Sequence, residues 1–274
     1  MRPRARPGRL PVTEGVLAHQ MPYLAIGSGR PLAYFRGFTT THTNPTGVQR
    51  AFELHFMTRL AERFRVYAIN RAPRLPVGIT MAGVADQHAA ALREEFAGPV
   101  DVLGVSSGGS VALQLAADHP DVLRRLVVVS SGYRLGAEAA AAQMRYVAAT
   151  SQGRRGSHYL APFKVDSRVG ALLTGGLMWL LDPLLRPTDS SDMVAFAKAE
   201  DGFDLGDRLG DITAPTLVIA GERDEIYPAE IIRGTAAGIR DCTLIVYPRI
   251  GHGGTIMHRR FVSDVTSFLR TGDS

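Results

Sequence analysis

Short β-branched runs recur along the chain with helical stretches between them, and this alternation restricts the fold more than any other feature. RVYAI at 65–69, VDVLGV at 100–105, LVVV at 126–129, TLVIA at 216–220 and TLIV at 243–246 are too short for helices. They are also too uniformly apolar to leave one face in water. Residues 47–63 put Val48, Phe52, Phe56 and Leu60 at helical spacing. A second helical pattern runs over 81–96 and a third runs to about His119, where Pro120 stops it. Strands joined through helices pair in parallel, and both faces of such a sheet are covered. Three earlier runs, at 15–19, 23–26 and 32–36, are separated only by Pro and Gly turn signals and are expected to form an antiparallel edge.

Between about residues 133 and 211 the alternation stops. Ala-rich and Leu-rich helical pieces broken by Gly and Pro take over, without a convincing strand. The expected architecture is α/β: a mostly parallel central sheet of about eight strands with an antiparallel N-terminal edge, helices on both faces and a helical cap. Residues 1–132 and 212–274 would form the core domain, and 133–211 the cap inserted between two sheet strands.

With 274 residues, 45% of them hydrophobic and 21% charged, the composition is globular. The net charge of +5 comes almost wholly from arginine, since Lys164 and Lys198 are the only lysines. No stripe of Arg alternates with stacking aromatics, so nucleic acid is not an expected partner. Cys242 stands alone, which excludes an intrachain disulfide and a Cys-based zinc site. The basic start MRPRARPGRLPV leads into no apolar signal core. The most apolar run, 171–185, contains Gly175, Gly176, Asp182 and Pro183 and is shorter than the roughly 20 residues a membrane span needs. A soluble, cytoplasmic protein with a small-molecule substrate and no membrane partner is expected; nothing in the sequence indicates an oligomeric state.

The stretch LGVSSGGSVALQLA at 103–116 holds three serines at the end of a buried strand and the start of a helix. In open α/β sheets, ligands sit at the carboxyl ends of strands. A nucleophile on a tight strand-to-helix elbow requires small residues two positions to either side. Ser106 has Gly104 and Gly108 there, whereas Ser107 has Val105 and Ser110 lies a turn into the helix. At the helix start, the Ser107 N–H would point toward an oxyanion. A serine hydroxyl needs a base, and the base needs an orienting group. His252, between glycines, follows the last strand, and Asp224 occupies the equivalent loop after the preceding one.

In this order, Ser106, Asp224, His252, the chain resembles the α/β-hydrolases over nearly its whole length. The resemblance implies Ser106 as nucleophile, His252 as general base and then acid, and Asp224 as the carboxylate that fixes the imidazole. Gly221 to Asp224 matches the family's Gly-x-x-Asp pattern and favours Asp224 over Glu222. Another family position for the acid reads Ser130-Ser-Gly-Tyr here, with no carboxylate. The family's His-Gly-x loop reads Arg36-Gly37-Phe38, which makes the Phe38 N–H, with that of Ser107, an oxyanion donor. Arg36, in place of histidine, would brace the loop or bind an anionic substrate group.

His42 is a candidate substrate contact; the other histidines are expected at the surface or in packing. In the cap, Met178 and Trp179 are candidates for an apolar substrate pocket, while most cap aromatics and leucines are expected to pack on the core. The arginines of the cap region, 134, 145, 154, 155, 168 and 186, are expected at the surface. The implied activity is cofactor-free hydrolysis of a small, largely apolar carboxylic ester. Carbon–carbon hydrolysis, perhydrolysis, lyase or acyl-transfer chemistry on the same residues is the alternative, and a non-catalytic binding protein a lesser one.

Overall fold

The apolar runs become strands, and their burial explains their composition. The computed structural model describes residues 10–163 and 168–270. The strands are β1 (Val12–Leu17), β2 (Met21–Ile26), β3 (Pro31–Phe35), β4 (Arg65–Ile69), β5 (Val100–Val105), β6 (Leu123–Val129), β7 (Thr216–Gly221) and β8 (Cys242–Tyr247). The helices are α1 (Gly47–Ala61), α2 (Met81–Glu95), α3 (Ser107–Asp118), α4 (Ala137–Ser151), α5 (Arg168–Leu185), α6 (Ser191–Asp201), α7 (Ala229–Gly238) and α8 (Phe261–Arg270).

One sheet runs β1-β2-β4-β3-β5-β6-β7-β8, with β1 and β2 antiparallel and β3 to β8 parallel. The antiparallel edge therefore contains two of the three opening runs. The third, β3, crosses into the sheet between β4 and β5 and pairs with both in parallel. From β3 the chain proceeds to β4 on one side, and from β5 to β6 on the other. The carboxyl ends of β3 and β5 thus form a topological switch point, where open α/β sheets offer a crevice for ligands.

Every residue of β7 is buried, as is all of β5 except Val105, because a helical layer covers each face. Side chains of α2, α3 and α7 pack into the core on one face, and those of α1 and α8 on the other. The buried side of α1 differs from the expected stripe. Phe56 and Leu60 are inside with Met57 and Ala61, but Val48 and Phe52 are exposed.

The insertion between β6 and β7 holds α4, α5, α6 and a 3₁₀ segment, Ser157–Phe163. Tyr146, Val147, Met193 and Ala197 form its own small core, against which Phe38 of the β3 loop packs. Helix α5 rests on the 3₁₀ segment rather than on the sheet. Consequently Val169, Leu172, Leu173, Leu177, Leu180 and Leu184 are exposed, contrary to the expectation that most of this run packs inward. No described helix is long and apolar enough to cross a membrane.

Candidate active site

Sharp reversal at the end of β5 puts Ser106 at φ 54° and ψ −129°, a left-handed conformation rarely adopted outside glycine, and α3 begins at the next residue. Such strain costs about 1–3 kcal/mol and persists only where the surroundings enforce it. Here the Ser106 N–H donates to the Val129 carbonyl at 2.9 Å, while the Ser106 carbonyl accepts from Gly109 N at 2.6 Å and Ser110 N at 3.3 Å. The flanking glycines are sterically required. A Cβ on Gly104 would lie 2.4 Å from the Gly108 carbonyl oxygen, and one on Gly108 would lie 2.2 Å from the Phe35 carbonyl oxygen.

Ser106, His252 and Asp224, carried on the loops after β5, β8 and β7, meet in one chain of contacts. His252 Nε2 lies 3.0 Å from Ser106 Oγ, and His252 Nδ1 lies 2.9 and 3.0 Å from the two Asp224 oxygens. A carboxylate only accepts, so Nδ1 carries the proton and Nε2 is left to take one from the serine. The buried Asp224 is fixed by the Ile226 and Tyr227 N–H groups, each 3.0 Å from Oδ1. Gly221 lets the two loops touch, since a Cβ there would be 2.2 Å from the Ile250 carbonyl oxygen. Glu222, the rival acid, instead accepts from Arg249 N at the surface. Ser130, in the family's other acid position, places its Oγ 3.2 Å from the His252 carbonyl and 2.8 Å from Thr255 Oγ1, so it steadies the histidine loop.

The three serines of the elbow have three different partners. Ser106 meets His252, Ser107 Oγ donates to Glu200 at 3.0 Å, and Ser110 Oγ is 3.0 Å from the Tyr227 hydroxyl. Tyr227 also stacks on the His252 ring, with centroids 6.1 Å apart.

Gly37 and Phe38 lie beside the elbow, where a Cβ on Gly37 would be 3.4 Å from Ser106 Cβ. Arg36 points away from Ser106. Its Nε pairs with the buried Glu53 at 2.7 Å and its Nη1 donates to the Thr43 carbonyl, so it braces the loop. His42 is likewise buried beneath the loop, with Nδ1 on the Ala72 carbonyl at 2.8 Å and Nε2 accepting from Arg71 at 3.3 Å.

Burial, with Arg71 nearby, lowers His42 from 6.5 to about 4, and burial also takes His88 to about 4. The unfolded chain would bind these protons near 6.5. The stability they confer is thus complete above about pH 6.5 and is lost as pH falls through about 4. The urea midpoint should accordingly fall between pH 7 and pH 4, and fall less steeply in His88→Gln.

A cavity of about 540 Å³ opens on Ser106 and His252; Phe38, Leu135, Ala139, Leu160, Phe163 and Ile226 supply its apolar wall and Gln143 a polar one. Neither Arg36, His42, Met178 nor Trp179 lines it. Trp179 faces a separate apolar groove between α5 and the 3₁₀ segment and carries Arg155 stacked 3.9 Å above its ring. Met178 contributes its carbonyl to Ser157. The Ser157–Phe163 segment comes between α5 and the cavity, contributing Leu160 and Phe163 to one side and Ala161 and Pro162 to the other. Among the described residues, no three His, Cys, Asp or Glu side chains converge as a metal site requires.

Sequence reasoning missed Asn70, Arg71 and Glu200. Asn70 donates to the Thr41 and Thr43 carbonyls and accepts from Thr39, so it ties the β3 loop to the end of β4. A polar Asn-Arg pair at the carboxyl end of a buried strand was the available signal for the first two. Glu200, in a helix remote from the motifs, carries no local signal.

This geometry agrees with the chain's relationships. Residues 37–265 match the alpha/beta hydrolase family, and the chain belongs to that family. Over 168 residues it is 30% identical to a pimeloyl-(acyl-carrier protein) methyl ester esterase of Neisseria meningitidis, a match covering 58% of this chain and 65% of that protein. Over 185 residues it is 29% identical to a 2-hydroxy-6-oxononadienedioate/2-hydroxy-6-oxononatrienedioate hydrolase of Cupriavidus pinatubonensis, covering 62% of each. The chain thus spans less than two thirds of the length of these relatives. Among solved structures, a hydrolase from Pseudomonas aeruginosa has the same fold, with a TM-score of 0.72 at 24% identity over 94% of this chain and 98% of that one.

Proposed function

We propose that this chain is a serine hydrolase that cleaves a small, largely apolar carboxylic ester through an acyl-enzyme, without a cofactor. What carries the reading is the unbroken contact from Asp224 through His252 to Ser106 at the wall of a mostly apolar cavity. Ser106 Oγ attacks the ester carbonyl carbon as His252 Nε2 takes its proton, and Asp224 stabilises the resulting imidazolium. The N–H groups of Phe38 and Ser107 hold the tetrahedral oxyanion. His252 returns the proton to the departing alcohol. Water, deprotonated by the same nitrogen, then attacks the acyl-enzyme and releases the acid with Ser106 restored. The insertion, residues 133–211, acts as a cap, since Leu135, Ala139, Gln143, Leu160 and Phe163 wall the reacting centre from above the sheet.

The ester in the name of the Neisseria relative agrees with this chemistry. The Cupriavidus relative favours a second reading, hydrolysis of a carbon–carbon bond in a vinylogous diketone by the same three residues. Its named substrates are dioates. No described residue lining the cavity is Lys or Arg, which favours an uncharged ester over a dianion. Steady-state rates on p-nitrophenyl acetate, butyrate and hexanoate beside a vinylogous diketone test the choice. Turnover of the esters is expected, and turnover of the diketone alone would replace this reading with the second.

A further inference from the structure

A buried guanidinium lies behind the loop that carries Phe38. Arg71, two residues past the end of β4, donates from Nη1 to the Arg36 carbonyl at 3.2 Å and from Nη2 to the Gly37 carbonyl at 3.0 Å and Thr39 Oγ1 at 2.8 Å. No peptide bond among the described residues is cis. In a trans peptide the C=O and N–H lie in one plane and point in opposite directions within it. A donor that fixes the Gly37 carbonyl from behind therefore turns the Phe38 N–H of the same peptide the other way, toward the cavity that Gly37 and Phe38 line.

The second donor has its own buried support. Glu200 accepts Ser107 Oγ at 3.0 Å, Gln143 Nε2 at 3.0 Å and the Tyr227 hydroxyl at 3.4 Å. These contacts anchor the Ser107 side chain and so fix the residue whose N–H opens α3. Both supports involve α6. Phe196 and Glu200 are four residues apart and share a helix face. The Arg71 guanidinium lies 4.0 Å over the Phe196 ring, and Asp192, one turn earlier, accepts from Arg74 N and Leu75 N at 2.9 and 2.7 Å. Burial lowers Arg71 to about 9, which leaves it charged at neutral pH, and Glu200 favours that charge.

We propose that Arg71 and Glu200 are positioning residues that aim the two oxyanion donors, Arg71 through the Gly37–Phe38 peptide and Glu200 through Ser107, so that α6 couples the seating of the insertion to catalysis. The inference rests on the ester-hydrolase reading. Each residue acts through a backbone donor and neither touches the reacting atoms.

The test compares wild type with Arg71→Gln, Arg71→Lys and Glu200→Gln. It measures kcat per titrated active site, KM for p-nitrophenyl butyrate and Ki for a trifluoromethyl ketone, whose serine adduct carries the oxyanion. Arg71→Gln should lower kcat about 100-fold with KM within about threefold, and Glu200→Gln about tenfold. Ki should rise by the factor that kcat/KM falls, and Arg71→Lys, which keeps the charge without the fork, should recover part of the loss. A merely structural role would reduce the fraction of titratable sites or the Tm and leave kcat per site and Ki unchanged; that result overturns the proposal. Should Arg71→Gln not fold, Arg71→Lys and Glu200→Gln decide by the same criterion. A wild type inert to esters and to the ketone would instead overturn the ester-hydrolase reading, and this inference with it.

Discussion

Replacing Ser106 by alanine should lower kcat for p-nitrophenyl butyrate at least about 10⁴-fold. The expectation follows from the way the elbow distributes its hydroxyls. Only the Ser106 hydroxyl bonds the His252 ring, while those of Ser107 and Ser110 are engaged by Glu200 and Tyr227. A neighbouring serine therefore cannot take over without breaking a buried contact. Binding of a non-reactive amide analogue should persist, because the cavity wall is otherwise intact. Strain provides a second readout. Glycine tolerates the φ of 54° that Ser106 adopts, so Ser106→Gly should be equally inactive yet more stable by about 1–2 kcal/mol, measured as a shift in the urea midpoint. Equal stability in Ser106→Gly and wild type would mean that the elbow is not strained.

Asp224→Asn should reduce kcat by about 10⁴-fold with the fold unchanged. The Ile226 and Tyr227 N–H groups both point at Oδ1, so an asparagine would keep its carbonyl there and turn its NH₂ toward His252. Facing a donor, Nδ1 would become the acceptor. The proton would move to Nε2, where it faces Ser106 and blocks acceptance of the serine proton. Glu222→Gln is the matched control, because that carboxylate serves Arg249 N at the surface, and its kcat should stay within about twofold. A large loss in Glu222→Gln with little in Asp224→Asn would reverse the assignment of the acid.

The parallel strands were legible because burial on both faces leaves an unmistakable mark: β5 and β7 are apolar almost throughout, and a helix follows each. The edge was harder. His19 and Gln20 adopt φ of 57° and 61°, which ends β1 at Leu17 instead of residue 19, and neither residue type announces such a turn. Short connections suggested that β3 pairs with β2. The sheet order instead follows from the α1 and α2 crossovers, which no local pattern reveals. Helix α5 misled for a related reason. Its leucines look like core, but its packing partner is a 3₁₀ segment that covers only one side.

Ser106 and Asp224 could be found because their loops carry glycines that the geometry demands, and His252 because it stands between glycines just after the last strand. Arg36 and His42 were close in sequence to the site, but side-chain direction decides contact, and both turn under the loop. Arg71 and Glu200 come from a strand end and a distant helix. Their meeting behind the elbow exists only in three dimensions.

The most direct test of the account is to treat the folded protein with a fluorophosphonate, digest it and locate the adduct by mass spectrometry. A single modification on Ser106, abolished in His252→Ala, is the predicted result. Modification of Ser107 or Ser110 instead, or a folded protein that remains unlabelled, would contradict it.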